Sequence, residues 1–413
     1  MPVKWEQLYA QRLKGMSTSA IREILKVAQS SDIIPFAGGW PEAALFPIEQ
    51  ITMICEEVLN DYPRQALQYG LTDGEPLLRD ALATEMRARG IPAGPQNIVI
   101  VSGSQQALDL LPRILVDEDD VILVENPTFL GAIQSFNAYG PRYVSVPLDE
   151  QGASADAMER LLREERVKLM YLIPTFHNPT GITMSRARRE RIVALASEAG
   201  VPIIEDDPYG RLRYRGDDLP TLAQLDAARN GGDPERATVL YSGTFSKTLA
   251  PGLRIAWLVC PERIADQLVM AKQGVDLHSN SLSQMIAYSF LKHDWLDDQV
   301  ERIRDTYGQR CDAMCQAIDD YFPPEARYQR PDGGLFLWVT LPEGIDTAEM
   351  LKDAAARKVA FVPGAPFFVG GGGHNTFRMT FASVPAPVIR QGIEILGEVI
   401  RDHLRDAGAS SAD

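Results

Sequence analysis

The stretch YSGTFSKTLAPGLRIAW, Tyr241 to Trp257, decides the fold. It sets Ser-Lys-Thr between Gly243 and Gly252, with Arg254 close behind. A lysine in such a loop either cradles a nucleotide phosphate or acts as a nucleophile. The nucleotide loop needs a Gly-Lys pair, with another glycine five residues before the lysine, after a strand and opening a helix. Here Ser246 precedes Lys247, and the nearest glycine before it is Gly243. Pro251 also opposes a helix starting at the lysine. The nucleotide reading fails at its most important position.

Outward from this stretch, the chain alternates short apolar runs with helical ones. NIVIV, VILVE, YVSV, KLMYLI, PIIED, TVLYSG and RIAWLV read as strands, with QQALDLLPRIL and SRARRERIVALASEAG as amphipathic helices between them. Buried strands interleaved with helices predict an α/β domain with a mainly parallel central sheet, whose ligands gather at the carboxyl ends of the strands. A long helical stretch runs from Pro261 to about Tyr321. GGLFLWVTLP, a helix near Thr347 to Arg357, VAFVPG, FRMTFAS and a final helix follow, which predicts a smaller α+β domain. The division expected is residues 1–45 as an N-terminal arm with a substrate-covering helix, 46–295 as the large domain and 296–413 as the small one. STSAIREILKVAQ is the helix expected in the arm. Gly370 to Gly373 reads as a mobile turn before FRMTF rather than a phosphate loop.

The 413 residues suffice for two domains, and the formal net charge of −15 argues against a nucleic-acid partner. No apolar run is long enough to span a bilayer, and MPVKWEQLYAQRLKG does not read as a signal peptide. Four cysteines, Cys55, Cys260, Cys311 and Cys315, point to a reducing, cytoplasmic setting. Cys311 and Cys315 lie four apart, but without a nearby His or second Cys pair no metal site is expected.

The other predicted strand ends carry polar groups of a particular kind. PTFHNPTG sets Asn178 in a proline-bounded turn, DDPYG sets Asp206 and Tyr209 three apart, and Ser102, Gly103 and Ser104 open a helix whose free N–H groups suit an anion. Each alone has an ordinary explanation as a cap, turn or surface residue. Together a lysine, an acid, a tyrosine, an asparagine and a phosphate-type helix start are the parts of a pyridoxal phosphate site. The lysine forms the Schiff base, and the acid keeps the pyridine nitrogen protonated so that the ring withdraws electrons.

At these motifs the chain resembles a family. SGSQQAL, HNPTG, DDPYG, SGTFSKTLAPGLR and TFRMTFAS, with FAGGWPEAALFP and LQYGLTDG, are similar to the class I/II aminotransferases of pyridoxal phosphate fold type I. Within them the resemblance is greatest to the 2-aminoadipate and kynurenine aminotransferase branch. It implies Lys247 as the Schiff-base lysine and proton carrier, Asp206 as the partner of the pyridine nitrogen, and Tyr209 with Asn178 as donors to the ring hydroxyl. It implies Ser104, Gln105, Thr244, Ser246 and Arg254 as phosphate ligands and Phe129 as the stacking ring, where relatives often carry tyrosine. Thr244 replaces a frequent serine and keeps the hydroxyl. Tyr69 would reach the phosphate of a neighbouring subunit in a homodimer with shared sites. Arg378 would grip the substrate α-carboxylate as a two-pronged fork, with an ordinary strand arginine as the alternative.

The implied activity is ping-pong transamination through aldimine and ketimine stages. It would move the amino group of 2-aminoadipate, glutamate, leucine or an aromatic donor to a 2-oxo acid such as 2-oxoglutarate. Gly38, Gly39 and Trp40 would line the substrate pocket, and Arg22 would pair with a distal carboxylate or remain a solvated helix residue. A lysine with its ordinary pKa of roughly 10.4 is protonated at neutral pH, so the site must depress that value. The alternatives are a β-eliminating lyase or decarboxylase on the same cofactor site and, in another class, a ligand-sensing domain. For the last, the short N-terminal arm and the acidic balance leave no room for a DNA reader.

Overall fold

The computed structural model describes residues 2–14 and 33–410. The helix expected over STSAIREILKVAQ, and Arg22 with it, lies outside the described residues. Among the described residues the seven apolar runs become strands of one sheet, and the two-residue β4 makes an eighth that the runs did not mark: β1 Ile98–Val101, β2 Val121–Asn126, β3 Arg142–Asp149, β4 Gly152–Ala153, β5 Val167–Leu172, β6 Ile203–Asp207, β7 Val239–Thr244 and β8 Ala256–Val259. Their order is β1-β8-β7-β6-β5-β2-β3-β4. The central pairs β7–β6, β6–β5, β5–β2 and β2–β3 are parallel, while β8 runs antiparallel to β7 and β1. The sheet is thus mainly parallel, as the run of buried strands predicts.

Both faces of this sheet are covered, and alternation along each strand assigns residues to them. Ile98, Ile100, Met170, Ile203 and Tyr241 face one core with the helices Ile48–Asp61, Pro76–Ala88 and Ser281–Lys292. Val99, Val101, Tyr171, Ile204 and Leu240 face the other, with the helices Ser104–Leu115 and Glu262–Gln273. Each fully buried Ile or Leu contributes about 1.5–3 kcal/mol. The same alternation places Asp206 on the side of Ile204 and sends Glu205 and Asp207 to the opposite side.

The stretch after Pro261 is not one helix but three: Glu262–Gln273, Ser281–Lys292 and Trp295–Tyr321. Gly274 ends the first, the Asn280 side chain caps the second at Ser283 N, and Asp294 turns left-handed at φ 56° before the third. The third helix crosses between cores, with Leu296 and Val300 in the first and Ile303 to Ile318 in another. That further core lies under an antiparallel sheet of β9 Arg327–Tyr328, β10 Phe336–Thr340, β11 Val362–Pro363 and β12 Thr376–Thr380, in the order β9-β10-β12-β11. The helices Thr347–Ala356 and Ala386–Ser410 complete it. Phe36, Phe176 and Tyr209 also enter this core, so loops beside the main sheet are pinned to the small one. The four cysteines are free, with Cys311 and Cys315 buried in the third helix. Among the described residues no helix is long and apolar enough to cross a membrane, and no cluster of His, Cys, Asp or Glu has the make-up of a metal site.

Candidate active site

Lys247 sits in the turn that follows β7. Phe245 and Leu249 anchor that turn in the core, and the Phe245 ring packs 4.9 Å from Trp257 on β8. The turn is irregular rather than helical, as Pro251 requires. The Lys247 amine points out of it and donates to the carbonyl of Gly39 at 2.9 Å. Burial lowers the amine to about 8, and the positive charges of Arg378 and Arg254 add to the effect. A neutral amine is therefore accessible near neutral pH, which a proton acceptor needs.

Asp206, at the end of β6, is buried and uses only one oxygen. Its Oδ2 accepts from the Tyr171 hydroxyl at 2.9 Å, while Oδ1 is buried with no hydrogen-bond partner among the described residues. Burial raises the carboxyl to about 7; the Tyr171 bond pulls against that rise and the charge of Asp207 adds to it. Tyr209 is buried in the turn beyond β6 and faces the Asn178 side chain. Asn178 in turn accepts from Arg378 Nη1 at 2.9 Å. One continuous set of groups thus links the strand ends to the small sheet.

An anion cradle lies at the ends of β1 and β7. Ser104 and Gln105 open the helix Ser104–Leu115, so their backbone N–H groups have no acceptor inside it. The Gln105 side chain is turned aside, donating to Gly131 O and Ser135 Oγ on the next helix. Arg254 adopts the left-handed conformation at φ 55°, and its guanidinium donates to the carbonyls of Pro251 and Ser102. Gly103 makes that approach possible. A Cβ at this position, itself at φ 82°, would come within 2.0 Å of Arg254 Nη2. The Thr244 hydroxyl bonds Ser246 Oγ at 3.0 Å and accepts from Ser246 N at 3.1 Å. Below the cradle, Asp276 accepts from Lys272, Gln106 and Ser102, and Gln106 Oε1 accepts from Ser102 N. No motif marks this support in the sequence, where Lys272 and Asp276 read as an ordinary helix end.

Arg378, on β12, is 3% exposed and has no carboxylate partner among the described residues. Nη2 donates to Ala37 O at 3.2 Å, Nε is unpartnered, and the guanidinium lies 4.2 Å and 5.3 Å from the Phe336 and Phe367 ring centres. Burial lowers it to about 10, with Tyr209 opposing. The loop Ala37–Gly39 therefore holds Arg378 with one carbonyl and Lys247 with another, while Trp40 beside it is half exposed. Phe129 caps the helix Leu130–Phe136, and Gly131 leaves room for its ring, since a Cβ there would lie 2.5 Å from Phe129 Cζ. Tyr69 stands apart from these groups. It is 81% exposed and its ring meets His278 edge-on at 5.9 Å. A cavity of about 890 Å³ opens elsewhere, beside Arg89, Asp207, Arg211 and Arg304, and does not include Lys247.

The open Asp206 oxygen, the free helix N–H groups beside Arg254 and the neutralisable Lys247 amine fit pyridoxal 5′-phosphate as a group. Each matches one part of that cofactor: ring nitrogen, phosphate and aldehyde. Residues 50–396 match the family described as "Aminotransferase class I and II". The chain belongs to the class I and II aminotransferases. This aminotransferase is 44% identical to aromatic-amino-acid aminotransferase 1 of Thermococcus litoralis, over 97% of its own length and 96% of the relative's. It superposes on the multiple substrate aminotransferase of Thermococcus profundus with TM-score 0.92 at 41% identity, covering 98% of this chain and 100% of that one. It also superposes on LysN, the alpha-aminoadipate aminotransferase of Thermus thermophilus complexed with N-(5'-phosphopyridoxyl)-L-leucine, with TM-score 0.89 at 39% identity over 98% and 100% of the two chains. It is a pyridoxal-phosphate-dependent transaminase of fold type I.

Proposed function

We propose that this aminotransferase takes the amino group from 2-aminoadipate, glutamate or an aromatic L-amino acid, with leucine also accepted, and passes it to 2-oxoglutarate. The observation that carries the reading is the loop Ala37–Gly39. Its carbonyls hold Arg378 and Lys247 in one pocket, a cation for the substrate carboxylate beside a base for its α-proton. The relatives named for aromatic amino acids, multiple substrates and alpha-aminoadipate support a donor range of this breadth.

Pyridoxal 5′-phosphate, when bound, supplies an aldehyde carbon for the donor's amine and an electron-withdrawing ring. Lys247 would anchor it covalently, and its free amine would take the α-proton of the amino acid. Asp206 Oδ1 would hold the ring nitrogen, Tyr209 and Asn178 the ring hydroxyl, and Phe129 would stack on the ring. Ser104, Gln105, Thr244, Ser246 and Arg254 hold the phosphate, with Gln105 acting through its backbone N–H because its side chain is engaged elsewhere. Arg378 binds the α-carboxylate as a fork, and Gly39 borders the substrate. Arg22 pairs with the distal carboxylate of acidic donors.

A homodimer completes the site, with Tyr69 reaching the partner's phosphate. Its exposure supports this, as do the exposed Ile48, Met53, Leu59, Leu67 and Leu71 around it in sequence and Met270, Val275 and Leu277. The division at residues 45 and 295 is supported by the separation of the eight-stranded sheet from the four-stranded one, and the free cysteines fit a cytoplasmic enzyme. A panel of donors assayed with 2-oxoglutarate, and glutamate assayed with a different 2-oxo acid, tests the reading: each accepted donor yields its own 2-oxo acid and the amino acid of the acceptor in equal amounts. Release of ammonia or carbon dioxide in their place sinks it. Arg22→Ala should cost 2-aminoadipate turnover and spare leucine.

A further inference from the structure

The three consecutive acids of β6 face opposite sides of the sheet, and of the two aspartates only Asp207 has a cation beside it among the described residues. Glu205 gives one oxygen to Leu222 N and the other to Ala223 N, each at 2.8 Å, at the start of the helix Leu222–Asn230. Asp207 Oδ2 accepts from the Tyr241 hydroxyl at 2.8 Å and lies 3.4 Å from Arg89, while its Oδ1, like that of Asp206, is buried with no hydrogen-bond partner among the described residues. Asp206 faces the other side of the sheet, where Tyr171 of β5 supplies its hydrogen bond. Tyr171 is fully buried, its ring packs edge-on to Phe136 at 5.5 Å, and its hydroxyl has Asp206 as its hydrogen-bond partner.

That contact has a chemical consequence. A phenol O–H donated to Oδ2 occupies that oxygen as an acceptor, and the second oxygen remains for another donor. Every group facing this carboxylate can be named. Asp207 adjoins it on β6, Ser242 is its register partner on β7, Tyr209 follows in the turn, and Tyr171 comes from β5. Ser242 lies close enough to favour the charge as well, but its hydroxyl closes no hydrogen bond; Asp207 repels the charge, and Tyr171 is the donor bonded to the carboxylate among the described residues.

We propose that Tyr171 is a positioning residue of the transamination reaction: its hydroxyl fixes the Asp206 carboxylate in one orientation and leaves Oδ1 to accept from the cofactor's ring nitrogen. The proposal rests on Asp206 being the partner of that nitrogen. Tyr171 itself stays behind Asp206. It acts through the acid, by favouring the ionised form and by denying it a second rotamer.

The test is Tyr171→Phe in the holoenzyme, beside Asp206→Asn. Phe fills the same space, so the fold is retained. Turnover is counted per bound cofactor, which removes any change in folded yield from the comparison. A hydrogen bond to a charged group is worth about 1.5–3 kcal/mol, so kcat should fall roughly 10- to 100-fold. The KM for the amino acid should stay within about twofold, because the Arg378 fork is untouched. Losing the donor favours the protonated acid, so the acid limb of the kcat–pH profile moves to higher pH. The dissociation constant of pyridoxal phosphate, titrated into cofactor-free protein, should rise about tenfold. Wild-type kcat per cofactor, acid limb and cofactor affinity in Tyr171→Phe, alongside a crippled Asp206→Asn, overturn the Tyr171 role alone. Wild-type turnover in Asp206→Asn overturns the reading beneath it.

Discussion

Arg189 and Arg378 are both buried, and neither meets a carboxylate among the described residues, yet they differ in what their donors do. Arg189 places Nε on Met184 O, Nη1 on Pro220 O, and Nη2 on Pro174 O and Thr175 Oγ1. Those bonds tie the turn before the helix Arg186–Ala199 to the strand end that leads into HNPTG, and they engage all three guanidinium nitrogens. Arg378 has one donor on Asn178, one on Ala37 and an idle Nε, with aromatic rings against its guanidinium. A buried cation is costly unless its donors are met. Arg189 meets that cost within the fold. Arg378 meets only part of it, as the proposed grip on a substrate carboxylate requires. Glu205 and Asp206 repeat the contrast with the sign reversed, one closed on a helix start and the other open.

The largest expected effect is at Lys247, the third open group. Lys247→Ala should lower turnover about 10⁴-fold in a donor/2-oxoglutarate assay while circular dichroism stays native. A variant that unfolds would place Lys247 with the closed groups instead. Next comes the arginine pair itself. Arg378→Lys keeps the charge and loses the fork, so KM should rise roughly 30- to 100-fold for donors and 2-oxo acids alike, with little change in thermal midpoint. Arg189→Met should do the opposite, costing about 3 kcal/mol of stability by stranding buried acceptors while KM holds. Equal KM losses in both would erase the distinction between the two arginines.

The carboxylates give a smaller effect, readable in pH. In cofactor-free protein Asp206 is raised to about 7, above its ordinary value near 3.8. The native state therefore holds a proton that the unfolded chain releases, and this stabilising contribution is lost as pH rises from about 4 through 7. Asp206→Asn removes that dependence. Its thermal midpoint relative to wild type should climb by about 5 °C between pH 5 and pH 8. Glu205, likewise raised to about 7, remains in both proteins and cancels. A flat difference would show that Asp206 is not the open acid. The smallest effect is at Tyr69, where Phe should weaken cofactor affinity about tenfold, detected by dialysis of the holoenzyme.

Much of this is visible in the residues. Each strand run from NIVIV to RIAWLV forms a strand of the main sheet, because an apolar run bounded by turn residues leaves little else for the backbone to do. The stretch after Pro261 reads as one long helix in sequence, since periodicity alone does not mark the left-handed break at Asp294. Inside KLMYLI, Tyr171 reads as one more large core residue. Its hydroxyl is the signal that sets it apart, because a buried tyrosine seeks a partner for its O–H. Gln105 shows the converse, a residue placed at the cradle by its motif whose side chain folds toward Ser135 instead.

Residue types in order are enough to pick out the lysine, the acid and the arginine, because this chemistry demands those groups at the ends of strands and the strands announce themselves. Which groups stay open is settled only by folding. Tyr171 meets Asp206 across 35 residues, Asn178 meets Arg378 across 200, and Gly39 meets Lys247 across 208. No local pattern reports contacts of that span. They arise when two sheets bury their apolar faces and leave a few polar groups short of partners between them.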